Sequence, residues 1–134
     1  MPSQHPTARL RRICLALPEA AEKETFGAPT FRVRDRIFAM LSRGDDGRVS
    51  MWCKAPPGSQ AVLVGADPAR FFVPPYVGPK GWIGMRLDGG PDWAEVELLV
   101  RRSYGLIAPK RLATLAETRQ GSGSGAQGGP RRGT

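Results

Sequence analysis

The sequence predicts a single α+β domain in which one antiparallel β-sheet carries helices on one of its faces. Three observations lead there. The chain has 134 residues, enough for one hydrophobic core and too few for two. Amphipathic helical stripes lie near both ends of the sequence. Between them run short strand-like segments separated by glycine, proline and aspartate turns, the pattern of an antiparallel meander.

From Thr7 to Leu17 the apolar residues Leu10, Ile13, Cys14 and Leu17 recur at helical spacing, with Arg9, Arg11 and Arg12 on other faces. Thr7 is the expected cap and Pro18 the stop. Glu19 to Pro29 begins acidic and then carries Gly27 and Pro29, which reads as an irregular connection pinned to the core by Phe26. Phe31–Val33, Ile37–Ser42 and Val49–Ala55 are strand-like, and Gly44-Asp45-Asp46-Gly47 supplies a turn between the last two. Pro56-Pro57-Gly58 breaks the chain, Ser59 caps a helix of about two turns over Ala61–Val64, and Ala69–Val73 returns as a strand. Trp82–Asp88 alternates Ile83, Met85 and Leu87 with Trp82, Gly84 and Arg86. Asp92 caps a second clear helix with a stripe of Trp93, Val96, Leu99, Val100 and Tyr104, and Pro109 opens a shorter one carrying Leu112 and Leu115. Beyond Glu117 the composition turns to glycine, serine and arginine, which gives a domain over 1–118 and a flexible tail over 119–134.

Hydrophobic residues at 40% and charged residues at 24% are values of a globular protein that needs neither disulfides nor metal to fold. Cys14 and Cys53 form no C-x-x-C pair and are expected to be buried, reduced thiols. The N-terminus lacks the apolar core of a signal peptide and no stretch is long enough to span a bilayer, so a cytoplasmic protein without membrane contact is expected. A monomer is the expected state.

Catalytic chemistry finds little to stand on. His5 is the one histidine and sits between polar and proline residues, where no geometry is held for proton transfer. Asp45, Asp46 and Asp67 occupy turn positions, and Asp92 is a cap. Gly78-Pro79-Lys80-Gly81 lacks the spacing of a phosphate loop and leads into a strand instead of a helix. A non-enzyme without cofactor or metal is expected.

The net charge is +8, of which Arg119, Arg131 and Arg132 contribute three in the acid-free tail. Such a balance favours an anionic partner. If Met51, Cys53, Ile83 and Met85 face the helices, then Trp52, Lys54, Trp82 and Arg86 share the opposite, open face. Aromatic faces beside cations suit stacking on bases and pairing with phosphates. The bland alternative is that both tryptophans fill a small second core beneath the Phe72–Gly81 loop.

The stretch Phe71-Phe72-Val73-Pro74-Pro75-Tyr76-Val77-Gly78-Pro79-Lys80-Gly81-Trp82, with Ser103-Tyr104 and Ala108-Pro109-Lys110-Arg111-Leu112, resembles the MmcQ/YjbR family. Leu17-Pro18, Phe26-Gly27, Phe31-Arg32-Val33 and Ile37-Phe38-Ala39 agree, so the likeness covers about residues 7 to 115. It implies an α+β fold with a so-called double-wing arrangement and a DNA-binding role, and no catalytic residues. The candidate nucleic-acid-binding residues are therefore Trp52, Lys54, Tyr76, Lys80, Trp82, Arg86, Lys110 and Arg111, for weak, largely sequence-tolerant binding. The second expectation is a non-catalytic small-ligand or protein-interaction module with a pocket near Tyr76 and Trp82.

Overall fold

The computed structural model describes residues 5–123 apart from Phe26 and Asp45, with side chains to Glu117. Helix α1 (Pro6–Leu15) leads into strands β1 (Ala20–Thr25), β2 (Ala28–Val33), β3 (Arg36–Arg43) and β4 (Val49–Lys54). Helix α2 (Ser59–Ala66), the short strand β5 (Phe71–Phe72), a 3-10 turn at Gly78–Lys80 and strand β6 (Trp82–Arg86) follow, then helices α3 (Trp93–Ile107) and α4 (Lys110–Gly123). The six strands form one antiparallel sheet in the order β1-β2-β3-β4-β6-β5. Helices α1 and α3 cover one face, α4 packs on α3, and α2 sits beside β5. The predicted fold class holds.

Local chemistry explains some of the element ends. Asp92 caps α3 by accepting a hydrogen bond from the Ala94 N–H at 3.0 Å. In the β3–β4 hairpin Asp46 accepts from the Arg48 N–H at 2.9 Å, and the Gly44 N–H donates to the Arg48 carbonyl. Thr7, however, is not the cap of α1: the helix begins at Pro6, whose missing N–H costs nothing in a first turn. Glu19–Pro29 is not an irregular connection either, because it contains β1, a turn at Gly27 and the start of β2. Strand β1 lies at the sheet edge with residues 21–24 exposed, so no apolar alternation marks it. The predicted pinning role of Phe26 falls outside the described residues. Helix α4 runs to Gly123, five residues into the stretch assigned to the tail, whose remainder, 124–134, is not described.

The core lies between the sheet and α1 and α3. Phe31, Val33, Met51, Cys53, Ile83 and Met85 meet Leu10, Cys14, Val96, Val100 and Tyr104, all fully buried. Register shifts between Phe31 and Arg32, leaving Phe38 as an extra residue in β3 between Ile37 and Ala39. Its ring meets that of Tyr104 edge-on at 5.2 Å. The ladder of β3 and β4 would next pair Phe38 with Lys54, one step beyond Ala39 and Cys53. Instead the hydroxyl of Ser103 on α3 stands between them, accepting from the Lys54 N–H at 2.9 Å and donating to the Phe38 carbonyl at 2.6 Å. The neighbouring Tyr104 hydroxyl donates to the Pro18 carbonyl at 2.6 Å.

Both cysteines are buried as expected, and burial pushes the Cys53 thiol up to about 12 and the Cys14 thiol well above its ordinary value. Neither should react with a thiol reagent in the native protein near pH 8, and both should react at the rate of unfolding in urea; rapid native labelling would contradict that burial. Replacing Ser103 by alanine leaves a buried N–H and a buried carbonyl without their bridge, and should lower stability by about 1–3 kcal/mol as a shift in urea midpoint at constant slope.

Candidate nucleic-acid interface

The register of β4 with β6 pairs Ser50 with Arg86, Trp52 with Gly84 and Lys54 with Trp82, so these six residues occupy the face away from α3. The alternation read from the sequence is thus correct for Trp52, Lys54, Trp82 and Arg86. What lies over that face differs along its length. At one end the chain between β5 and β6 folds back: the Trp82 N–H meets the Val77 carbonyl, and the Gln60 side-chain amide donates to the carbonyls of Gly78 and Trp82 at 2.8 and 2.7 Å. Trp82 is left only 8% exposed and belongs to the core. Its predicted place in an open contact surface is therefore corrected, because strand parity assigns a face but not what covers it. Trp82 joins the main hydrophobic core, with no separate second core among the described residues, and Trp52 remains half-buried against it.

Toward the other end the face stays open as a cleft of about 630 Å³, bounded by the β3–β4 turn and the segment after β5. Trp52 and Phe72 lie in it, Tyr76 and Pro75 stand on one side, and Ser42, Ser50, Asp46, Arg48 and Arg86 supply its polar atoms. Glycine makes the floor possible. Phe72 pairs with Gly84 across β5 and β6, and a Cβ on Gly84 would lie 2.3 Å from the Phe72 ring. The Trp52 indole N–H donates to the Ser50 hydroxyl at 3.1 Å, which holds the ring along the strand.

The two cleft arginines differ in their engagement. Arg48 binds Asp88 at 2.8 Å, and that ion pair holds the Asp88 carboxyl below its usual range. Arg86 forms no salt bridge among the described residues, although its charge also helps to lower the Asp88 carboxyl; its Nε donates to the Ala69 carbonyl at 3.2 Å and its guanidinium lies 4.8 Å from the centre of the Phe72 ring. Tyr76 is 90% exposed and has a left-handed backbone, with φ of 68°. That conformation is costly for a residue with a side chain, and no burial of the ring offsets it.

Of the predicted site residues, the cleft brings together Trp52, Tyr76 and Arg86. Lys54 is half-buried on the same face beside Trp82, and Lys80 is exposed in the 3-10 turn; neither lines the cleft. Lys110 and Arg111 are exposed at the start of α4, in the helical layer, where Arg111 helps lower the Glu19 carboxyl. Sequence reasoning missed Ser42, Arg48, Ser50, Phe72 and Pro75. Ser50 was within reach, being two residues from Trp52 on one strand. Gly84 inside an apolar strand was a signal of close approach by another group, though not of which one.

The fold is that of a small α+β domain, and the comparisons with known proteins give its family. The model of the YjbR family matches residues 15–106, and the chain belongs to that family. The chain is also similar to a solved structure, that of the Deinococcus radiodurans protein DR2400, whose domain is classed as DUF419. The two share 24% identity and a TM-score of 0.68 over 89% of this chain and 92% of the other, which is a likeness of fold. No curated protein matches the chain significantly.

Because Gly84 leaves room for the Phe72 ring, Gly84→Val should drive that ring off the floor and cost about 1–3 kcal/mol by overpacking. Thermal denaturation measures the loss. An unchanged midpoint would mean that Phe72 moves aside without cost.

Proposed function

We propose that the protein is a non-catalytic nucleic-acid-binding module whose contact surface is the open end of the sheet face. The observation that carries this reading is the juxtaposition of Trp52, Phe72 and Tyr76 in one cleft with the Arg86 guanidinium, which forms no salt bridge among the described residues. Stacking surfaces beside a cation held in place are what bases and phosphates require. Charge supports it. Arg11, Arg34, Arg48, Arg70 and Arg101 are paired with carboxylates, whereas Lys23, Arg43, Lys54, Lys80 and Arg86 form no salt bridge among the described residues. The excess of +8 is therefore carried in part by cations free to meet phosphate. The DNA-binding role that the family resemblance implies points the same way.

A second reading has its own support in the concavity of the cleft. A volume of about 630 Å³ falls among those of small-ligand sites, so a small aromatic anion bound there is the alternative. Its pocket would involve Tyr76 and Trp52 but not Trp82.

Titration of labelled oligonucleotides by fluorescence anisotropy should give micromolar or weaker affinity that varies little with base sequence and falls steeply with salt. Arg86→Ala should reduce the slope of log affinity against log salt by about one unit. No binding at tens of micromolar in low salt, with the fold intact, would reject the nucleic-acid reading and leave the small-ligand one.

A further inference from the structure

The cleft and its rim specify more than an affinity for phosphate. Duplex bases have both faces covered by their neighbours, so aromatic rings reach a base face only where it is unstacked. The cleft of about 630 Å³ is of a size to take a single nucleotide. Its floor is aromatic, formed by the half-buried Trp52 and by Phe72 over Gly84. The Trp52 N–H is occupied by Ser50, so the indole offers a stacking surface and not a donor that would select one base.

Tyr76 is the second part of the device. Its left-handed backbone belongs to a tight turn in which the Val77 N–H donates to the Pro75 carbonyl and the Gly78 N–H to the Pro74 carbonyl, and this turn presents a ring that is 90% exposed at the cleft margin. Those hydrogen bonds fix the backbone, and the exposed ring is what is left available for stacking. Close by, the Arg86 guanidinium is aimed by the Ala69 carbonyl and by the Phe72 face, and it forms no salt bridge among the described residues.

We infer that the cleft captures one unpaired base of a single strand, sandwiched between the Tyr76 ring and the Trp52 indole, with an adjoining phosphate on Arg86. This rests on the nucleic-acid reading above and adds strand selectivity to it. The protein thereby discriminates single strands from duplex without discriminating base identity, because every base presents a flat face. Tyr76 is a clamp from the rim, and Arg86 sets the register of the backbone.

The experiment uses the full chain at low salt with three labelled probes: a short oligothymidine, the same strand annealed to its complement, and an abasic strand of equal length. The single strand should bind at least about tenfold more tightly than the duplex or the abasic strand. Tyr76→Ala should weaken binding of the single strand by about 5- to 100-fold, the range expected for losing one stacking platform, and leave the abasic strand unaffected. Tyr76→Phe, which keeps the ring, should bind as the parent does. Because Tyr76 is exposed, neither variant should lower the melting temperature, which is checked on the same samples. Equal affinity for single strand and duplex, or indifference to Tyr76→Ala, overturns the base-capture inference while the wider nucleic-acid reading stands. Failure of all three probes to bind at tens of micromolar overturns both.

Discussion

A single hydroxyl on α3 sets how the helical layer sits on the sheet. Ser103 enters the β3–β4 ladder at the step where Phe38 and Lys54 would otherwise bond directly, and passes the hydrogen bond through a helix. Every buried N–H and carbonyl needs a partner, so a helix that supplies one to each of two strands is fixed in height and rotation. The extra residue in β3 becomes tolerable for the same reason. Phe38 leaves the regular ladder, meets Tyr104 from the next position on α3, and its carbonyl is still satisfied. Tyr104 extends the anchoring to Pro18, where α1 turns into β1.

That anchoring commits one sheet face to the helices and leaves the other to be finished by the chain around β5. Half of it is closed by the segment that buries Trp82, with Gln60 of α2 tying the closure down. The other half stays open because Gly84 admits the Phe72 ring against the sheet, giving a floor that is aromatic yet thin. A polar rim then follows from the hairpin turn, where Asp46 is engaged with the backbone and Arg48 with Asp88. Arg86 is the exception on this rim. It is immobilised by a carbonyl and a ring, neither of which cancels its charge.

Charge in this chain therefore divides into two populations. Arg11 with Glu22 and Arg34 with Glu19 join neighbouring elements across the helical side and strand ends, and Arg70 joins Asp67 and Glu95 across β5 and α3. Exposed pairs of this kind add little stability each, and their effect on the surface is to lower its field locally. A count of +8 taken from the sequence overstates how much cation is available at any one place. The cation available at the surface depends on which arginines and lysines the fold leaves unmatched.

The sequence by itself determined the fold class, the helices α1 and α3, and the two-faced strands β4 and β6, because these rest on periodicity and on turn and cap chemistry that act over a few residues. Asp92, Gly44 with Gly47, and the alternation of Met51 and Cys53 against Trp52 were legible in that way. Strand β1 was not, since an edge strand with mostly exposed residues carries no apolar signal. Only the tertiary structure decided which side chains of the open face meet. Trp82 and Trp52 have the same parity, but one is roofed by a loop and the other is not. Lys110 and Arg111 belong to the helical layer, on the other side of the sheet from the cleft, and Phe72 reaches the cleft through a pairing with Gly84 that no local pattern encodes. Periodicity assigns a face; long-range pairing and loop closure decide what stands upon it.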